Sequence, residues 1–119
     1  MKMRLQTLIK NLLNKYDALL VCDIYEDAIG PAGSIGGYWH GLILEMIVIH
    51  EDSRCKGIGT KVMKEICKYA DEKQYPIYLR PGFKKYTNHR LVRFYKRFGF
   101  CLLPKAIVMS RHPKQRKNP

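Results

Sequence analysis

The residues best suited by type and spacing to do chemistry lie in Arg54-Cys55-Lys56-Gly57-Ile58-Gly59-Thr60, between an apolar stretch and an amphipathic one. The first turn of a helix leaves backbone N–H groups without partners, and the aligned peptide dipoles place about half a positive charge there, so an anion is stabilised without any side chain. Glycine at 57 and 59 removes the Cβ atoms that would hold a phosphate away from the backbone. Arg54, Lys56 and Lys61 add positive charge around the same spot. Two familiar phosphate motifs fail on spacing, since a P-loop needs Gly, four residues, then Gly-Lys-Ser/Thr, and a dinucleotide fold needs Gly-x-Gly-x-x-Gly. The heptapeptide also fits a glycine-rich strand-to-helix connection that binds nothing, and only its context decides between the two. Cys22, Cys55, Cys67 and Cys101, like His40, His50, His89 and His112, fall at no metal-ligand or redox spacing. No metal is expected, and the thiols read as reduced and structural.

The elements that must position this loop follow from periodicity. Leu5, Leu8, Ile9, Leu12 and Leu13 recur at helical spacing over residues 4–15. Ala18 to Tyr25 reads as a strand, Ala28 to Gly37, with four glycines and a proline, as a loop, and Trp39 to His50 as a long strand. Leu42 to Ile49 is apolar on both faces apart from Glu45, the pattern of a central strand covered on each side by helices. After the loop, Thr60 to Lys73 carries the apolar stripe Val62, Met63, Ile66, Cys67 and Ala70. Pro76 to Arg80 is a short strand; a helix capped by Asn88 buries Leu91, Val92, Tyr95 and Phe98 and ends at Gly99; Phe100 to Leu103 and Ala106 to Arg111 are two last strands. The order describes an α/β or α+β sandwich with one main sheet.

Length and charge set the outer limits. A chain of 119 residues, 46% of them hydrophobic, suits one domain with one core, here residues 1–110, and wholesale disorder is excluded. No apolar run is long enough for a membrane span, and Lys10 and Asn11 break what would be the apolar core of a secretory signal, so the chain reads as cytoplasmic. Residues 1–50 hold four basic side chains against five acidic ones, whereas residues 51–119 hold 18 against five. A field of that sign draws phosphates of a cofactor, a nucleic acid or an acidic protein alike. Residues 111–119, with Arg111, Lys114, Arg116 and Lys117 between prolines, read as a basic disordered tail.

Arg54-x-x-Gly57-x-Gly59 after an apolar strand resembles the acetyl-CoA signature of the GNAT (Gcn5-related) N-acetyltransferases, and Asn88 followed by Tyr95 and Gly99-Phe100 resembles that family's second hallmark. The resemblance covers about residues 39–110. It implies a mixed central sheet flanked by helices, with acetyl-CoA in a splay between two parallel strands. The pantetheine arm would pair with main chain of Ile47, Val48 and Ile49, the pyrophosphate would rest on Arg54 to Thr60 (Arg54, Cys55, Lys56, Gly57, Ile58, Gly59, Thr60), and Asn88 and Tyr95 would line the arm near the thioester. An acetyl group passing from thioester to amine needs a base for the ammonium proton and an acid for the departing sulfur. Glu45, the one ionisable residue in Leu42 to Ile49 and by strict alternation on the face of Ile47 and Ile49, is the expected base, in surroundings whose desolvation would favour proton uptake. A rim glutamate paired with a lysine is the alternative. Tyr95 is the acid by resemblance, though its place on an apolar helix face also suits plain core packing.

Only one helix and one strand precede the strand that the resemblance assigns to the cofactor, fewer than the family's usual roof over the acceptor. Such a site would take a bulky acceptor such as a protein lysine or N-terminus, or a small amine, or be completed by a second copy in a homodimer. Two rival readings remain. One is a nucleic-acid module, or an RNA-directed acetyltransferase, with Phe83, Tyr86, Arg90 and Arg93 as contacts. The other is a GNAT-like protein that binds acetyl-CoA without catalysis.

Overall fold

The computed structural model describes residues 4–17, 19–28, 40–50, 57–83, 86–87, 89–103 and 108–114. Along the chain run α1 (Leu5–Lys15), β1 (Leu19–Ala28), β2 (His40–Ile49), α2 (Ile58–Lys73), β3 (Ile77–Leu79), β4 (Gly82–Phe83), β5 (Tyr86–Thr87), α3 (His89–Lys96), β6 (Cys101–Leu102) and β7 (Met109–Arg111). The strands expected from apolar, β-branched stretches and the helices expected from period 3.6 are present, with Ala106 and Ile107 of the last expected strand lying outside the described residues. The short β4–β5 hairpin, pairing Gly82 with Thr87 and Phe83 with Tyr86, has no counterpart in the sequence pattern. Two residues per strand are too few to leave a period.

The main sheet is mixed, in the order β1-β2-β3-β7-β6. β1 and β2 run antiparallel over their whole length, from Leu19 opposite Ile49 to Ala28 opposite His40. β2 and β3 run parallel, but only Leu42–Leu44 pair with Ile77–Leu79. Leu19, Cys22 and Ile24 of β1, with Leu42 and Leu44 of β2, are buried in one cluster with Leu8 and Leu12 of α1 and Val62, Met63 and Ile66 of α2. The hydroxyl of Tyr16 donates to Glu65 of α2 at 2.7 Å, and that of Tyr69 donates to Glu26 of β1 at 3.2 Å, so α1, α2 and β1 are also tied at their polar margins.

At β1–β2 the helical cover is one-sided. Val21, Tyr25 and Met46, which alternate with the buried set, are 39%, 40% and 54% exposed. The two-sided cover expected of β2 therefore holds only for its first half, where Leu42 and Leu44 are buried and Ile43 partly so.

Arg111 corrects the position of the tail. It closes β7, is 4% exposed, and donates through both terminal nitrogens to Asp71 of α2 at 2.9 and 3.0 Å and through Nε to the Phe98 carbonyl at 2.8 Å. The backbone N–H of Lys114 donates to the same Asp71 carboxylate at 2.9 Å. One ion pair thus joins α2, β7, the turn after α3 and the segment beyond the sheet. Cys22 and Cys67 are buried thiols, pushed up to about 11 by desolvation, which suits the structural role expected of them, while Cys101 is exposed. No helix among the described residues is long and apolar enough to cross a membrane.

Candidate functional site

β2 carries the first part of the site, and its register explains its shape. Asp23 pairs with Met46 and Ile24 with Leu44, so Glu45 is the extra residue of a β-bulge. A bulge bends its strand and breaks the in-out alternation. Its position is consequential: pairing with β3 ends at Leu44, one residue before it, and from Glu45 onward β2 runs beside β1 with no strand ladder on its β3 side among the described residues. The strands part where the backbone bends. Peptide groups left along such a gap need partners from outside the sheet.

The bulge also corrects the expected facing of Glu45. Ile47 and Ile49 pair with Cys22 and Leu19 on the helical side, whereas the Glu45 carboxylate accepts a hydrogen bond from the Tyr25 hydroxyl at 2.9 Å. Tyr25 pairs with Ile43 and belongs to the open face. Glu45 is exposed, not enclosed in an apolar strand, and its partner is a phenol, not the lysine of the rim alternative. The bond to the carboxylate raises the Tyr25 pKa, so the phenol keeps its proton and the donor role. Asp23 shares this open face and is likewise exposed, which makes the surroundings of Glu45 negative in a chain that is otherwise strongly basic.

The second part is the start of α2. Its first turn begins at Ile58, two residues earlier than the apolar stripe indicates, with Gly57 as N-cap in the left-handed region at φ 78°. A Cβ there would meet nothing within 4 Å, and glycine has no side-chain oxygen to cap the first-turn N–H groups. The site therefore needs glycine at 57 for backbone hand and keeps the helix start open. Gly59 has a different task. A Cβ on it would lie 3.4 Å from Ile49 Cδ1 and 3.5 Å from Phe94 Cζ, so its small size lets the end of β2, the first turn of α2 and α3 close on one another. Ile47, Val48, Ile49, Gly57, Ile58, Gly59 and Thr60 thus lie along one strand end and the helix start packed against it. Arg54, Cys55, Lys56 and Asn88 lie outside the described residues.

Tyr95 enters from α3, beside Phe94. Its ring lies 5.2 Å from that of Phe94 and 5.6 Å from that of Phe100, packed against the main core, and burial pushes its pKa up. The phenol therefore stays protonated through the neutral range, as an acid requires. It stands in the apolar cluster, while Glu45 stands on the open face. Tyr25, the polar partner of Glu45, is the residue that sequence reasoning missed; its signal is the β1–β2 register, which loop length alone does not fix.

A groove of about 560 Å3 lies elsewhere, between the second half of α2 and the turn after α3, and none of the residues expected to hold cofactor or do catalysis lines it.

A family model described as the acetyltransferase (GNAT) family matches residues 3–100. Among solved structures, a protein of Pyrococcus horikoshii OT3 is similar at 21% identity and a TM-score of 0.60, covering 90% of this chain and 73% of that one. A KacTA–DNA complex matches at 13% identity and a TM-score of 0.58, over 76% of this chain and 56% of that one. The Bacillus subtilis N-acetyltransferase YlbP in complex with coenzyme A matches at 13% identity and a TM-score of 0.57, over 77% and 59%. At these identities the likeness is one of fold, and the chain spans less than two thirds of the last two. A comparison with curated proteins found no match.

Proposed function

Because the chain belongs to the GNAT acetyltransferase family, we propose that it transfers the acetyl group of acetyl-CoA to a primary amine, with Glu45 as base and Tyr95 as acid. The observation that carries this reading is the parting of β2 from β3 at the Glu45 bulge, next to an open, glycine-led start of α2. The first supplies an edge that an extended, amide-bearing arm can pair with. The second supplies first-turn N–H groups that have no side-chain cap among the described residues, and a helix dipole, for a diphosphate held with Arg54, Cys55 and Lys56, which precede it in the sequence.

Acetyl-CoA supplies the thioester as acyl donor. The remaining work falls to side chains and main chain of this protein. An amine acceptor arrives mostly as ammonium near neutral pH, since its pKa is near ~10, and must lose a proton before it can attack. The Glu45 carboxylate takes that proton directly or through one water, as its solvent exposure permits. An N–H of the parted strand, near Ile47 or Val48, polarises the carbonyl oxygen. As the carbon–nitrogen bond forms and the carbon–sulfur bond breaks, Tyr95 gives its proton to the sulfur and is reprotonated by the second proton that the nitrogen sheds, so of the two protons the ammonium loses, one leaves through Glu45 and one ends on the thiol. The negative setting of Asp23 and Glu45 attracts a cationic acceptor, a protein lysine or N-terminus or a small polyamine. A cytoplasmic location, where acetyl-CoA and reduced thiols coexist, belongs to the same reading.

The test is incubation of the protein with isotopically labelled acetyl-CoA and a panel of polyamines, lysine peptides and cell lysate, followed by mass spectrometry. The expected result is a labelled acetyl group on an amine with equimolar release of thiol. Binding of coenzyme A without any acetylated product in panel or lysate would overturn the catalytic reading in favour of a CoA-binding protein.

A further inference from the structure

We propose that the groove between the second half of α2 and the turn after α3 binds the phosphate backbone of a single-stranded nucleic acid. The inference is independent of acetyl transfer, because the groove shares no residue with the acetyl-CoA site proposed above. Its floor is the Arg111–Asp71 pair, whose charges are satisfied by each other. That leaves Lys64, Lys68, Arg97 and Lys114 around the rim, all exposed, against the single carboxylate of Glu72.

Three features favour a polyanion with bases over a single small anion. First, the cations continue beyond the groove. Lys61 extends the row on α2, so that Lys61, Lys64 and Lys68 span about 10 Å of helix, and Arg93 and Lys96 extend it on α3. Second, Lys64 and Lys68 stand four apart on one helical face, where like charges repel and work against the helix. Glu72, four residues after Lys68, offsets part of that repulsion, and an anionic ligand would relieve the rest. Third, Phe98, whose ring packs edge-on against Phe94 at 5.2 Å, is partly buried and forms part of the wall, so the part of the ring left toward the groove would give a base a stacking surface among the cations. Aromatic surface beside a row of cations is what a single strand needs and what an acidic protein surface does not. The groove begins more than a turn beyond Gly59, so a diphosphate at the helix start leaves it open.

The experiment is fluorescence anisotropy of the full chain with a fluorescein-labelled single-stranded RNA of about a dozen nucleotides, titrated at several salt concentrations. Binding is expected to weaken linearly with log salt concentration. Joint replacement Lys64→Gln and Lys68→Gln should lower affinity by roughly tenfold or more and reduce the salt slope by about 1.4, the value for two lost single-strand phosphate contacts. The charge-reversed pair Lys64→Glu and Lys68→Glu should lower it further. Thermal stabilisation by coenzyme A should be the same in all three proteins, which separates this proposal from the acetyl-CoA reading. Unchanged RNA affinity in both double variants overturns the proposal, because the contacts then lie elsewhere. Displacement of RNA by coenzyme A would assign the groove to the cofactor, and competition by polyglutamate as effective as by unlabelled RNA would assign it to an acidic protein; either overturns it too.

Discussion

Replacing Glu45 by glutamine is expected to lower kcat for acetyl transfer by about two orders of magnitude near neutral pH, with coenzyme A binding unchanged. The magnitude is the lower end of what a positioned general base contributes. The substitution is clean on structural grounds. Glutamine keeps an oxygen that can accept from the Tyr25 hydroxyl, and the side chain is exposed, so neither the bulge nor the core is disturbed. What is lost is the capacity to take a proton, together with one of the two negative charges that attract the acceptor, a loss read in KM rather than kcat. The defect should therefore shrink as pH rises towards the amine pKa near ~10, where the acceptor arrives already neutral. Tyr25→Phe should act more weakly, since it removes the orientation of the carboxylate and leaves its charge. A kcat for Glu45→Gln within twofold of the parent across pH would remove Glu45 from the mechanism.

Replacing Arg111 by alanine should cost about 3–5 kcal/mol of folding stability, the range found when one partner of a buried ion pair is removed. The guanidinium is 5% exposed, holds Asp71 in a two-pronged contact, and satisfies the Phe98 carbonyl. Its loss strands a carboxylate that is only 25% exposed and a carbonyl at the turn after α3, and it unties α2 from β7. For a domain of this size that loss lowers Tm by roughly 10 °C or more. Urea unfolding with an unchanged m-value and a lower midpoint is the appropriate measurement. A loss under about 1 kcal/mol would mean that the pair behaves like a surface salt bridge.

These two sites also mark where the sequence could and could not be read. α1 and α2 announce themselves because apolar side chains recur at period 3.6 over ten residues or more, and β1 and β2 because Leu, Val and Ile crowd a comparable length. Gly57 and Gly59 are legible as a stretch that lets an anion approach the backbone, whereas the left-handed φ of Gly57 and the close approach of Ile49 and Phe94 to Gly59 are seen only in the fold. The bulge at Glu45 is not legible. It arises from the register of two strands joined through residues 29–39, and one extra residue reverses the facing of Glu45 relative to Ile47 without any trace in composition. Arg111 was hidden for a related reason. Its neighbours His112, Pro113 and Lys114 read as tail, whereas its partner Asp71 lies 40 residues earlier in the chain. The charge excess of the second half is plain in the sequence, but only the packing of α2 against the turn after α3 turns part of it into a groove.

The central claim is that coenzyme A lies along the parted edge of β2 and on the first turn of α2. Hydrogen–deuterium exchange with and without saturating coenzyme A measures this at the backbone groups concerned. Slowed exchange is predicted in peptides spanning Glu45 to Ile49 and Gly57 to Lys61, with Lys64 to Lys73 unaffected. Equal exchange in both states over Glu45 to Lys61, or protection confined to the second half of α2, would contradict it.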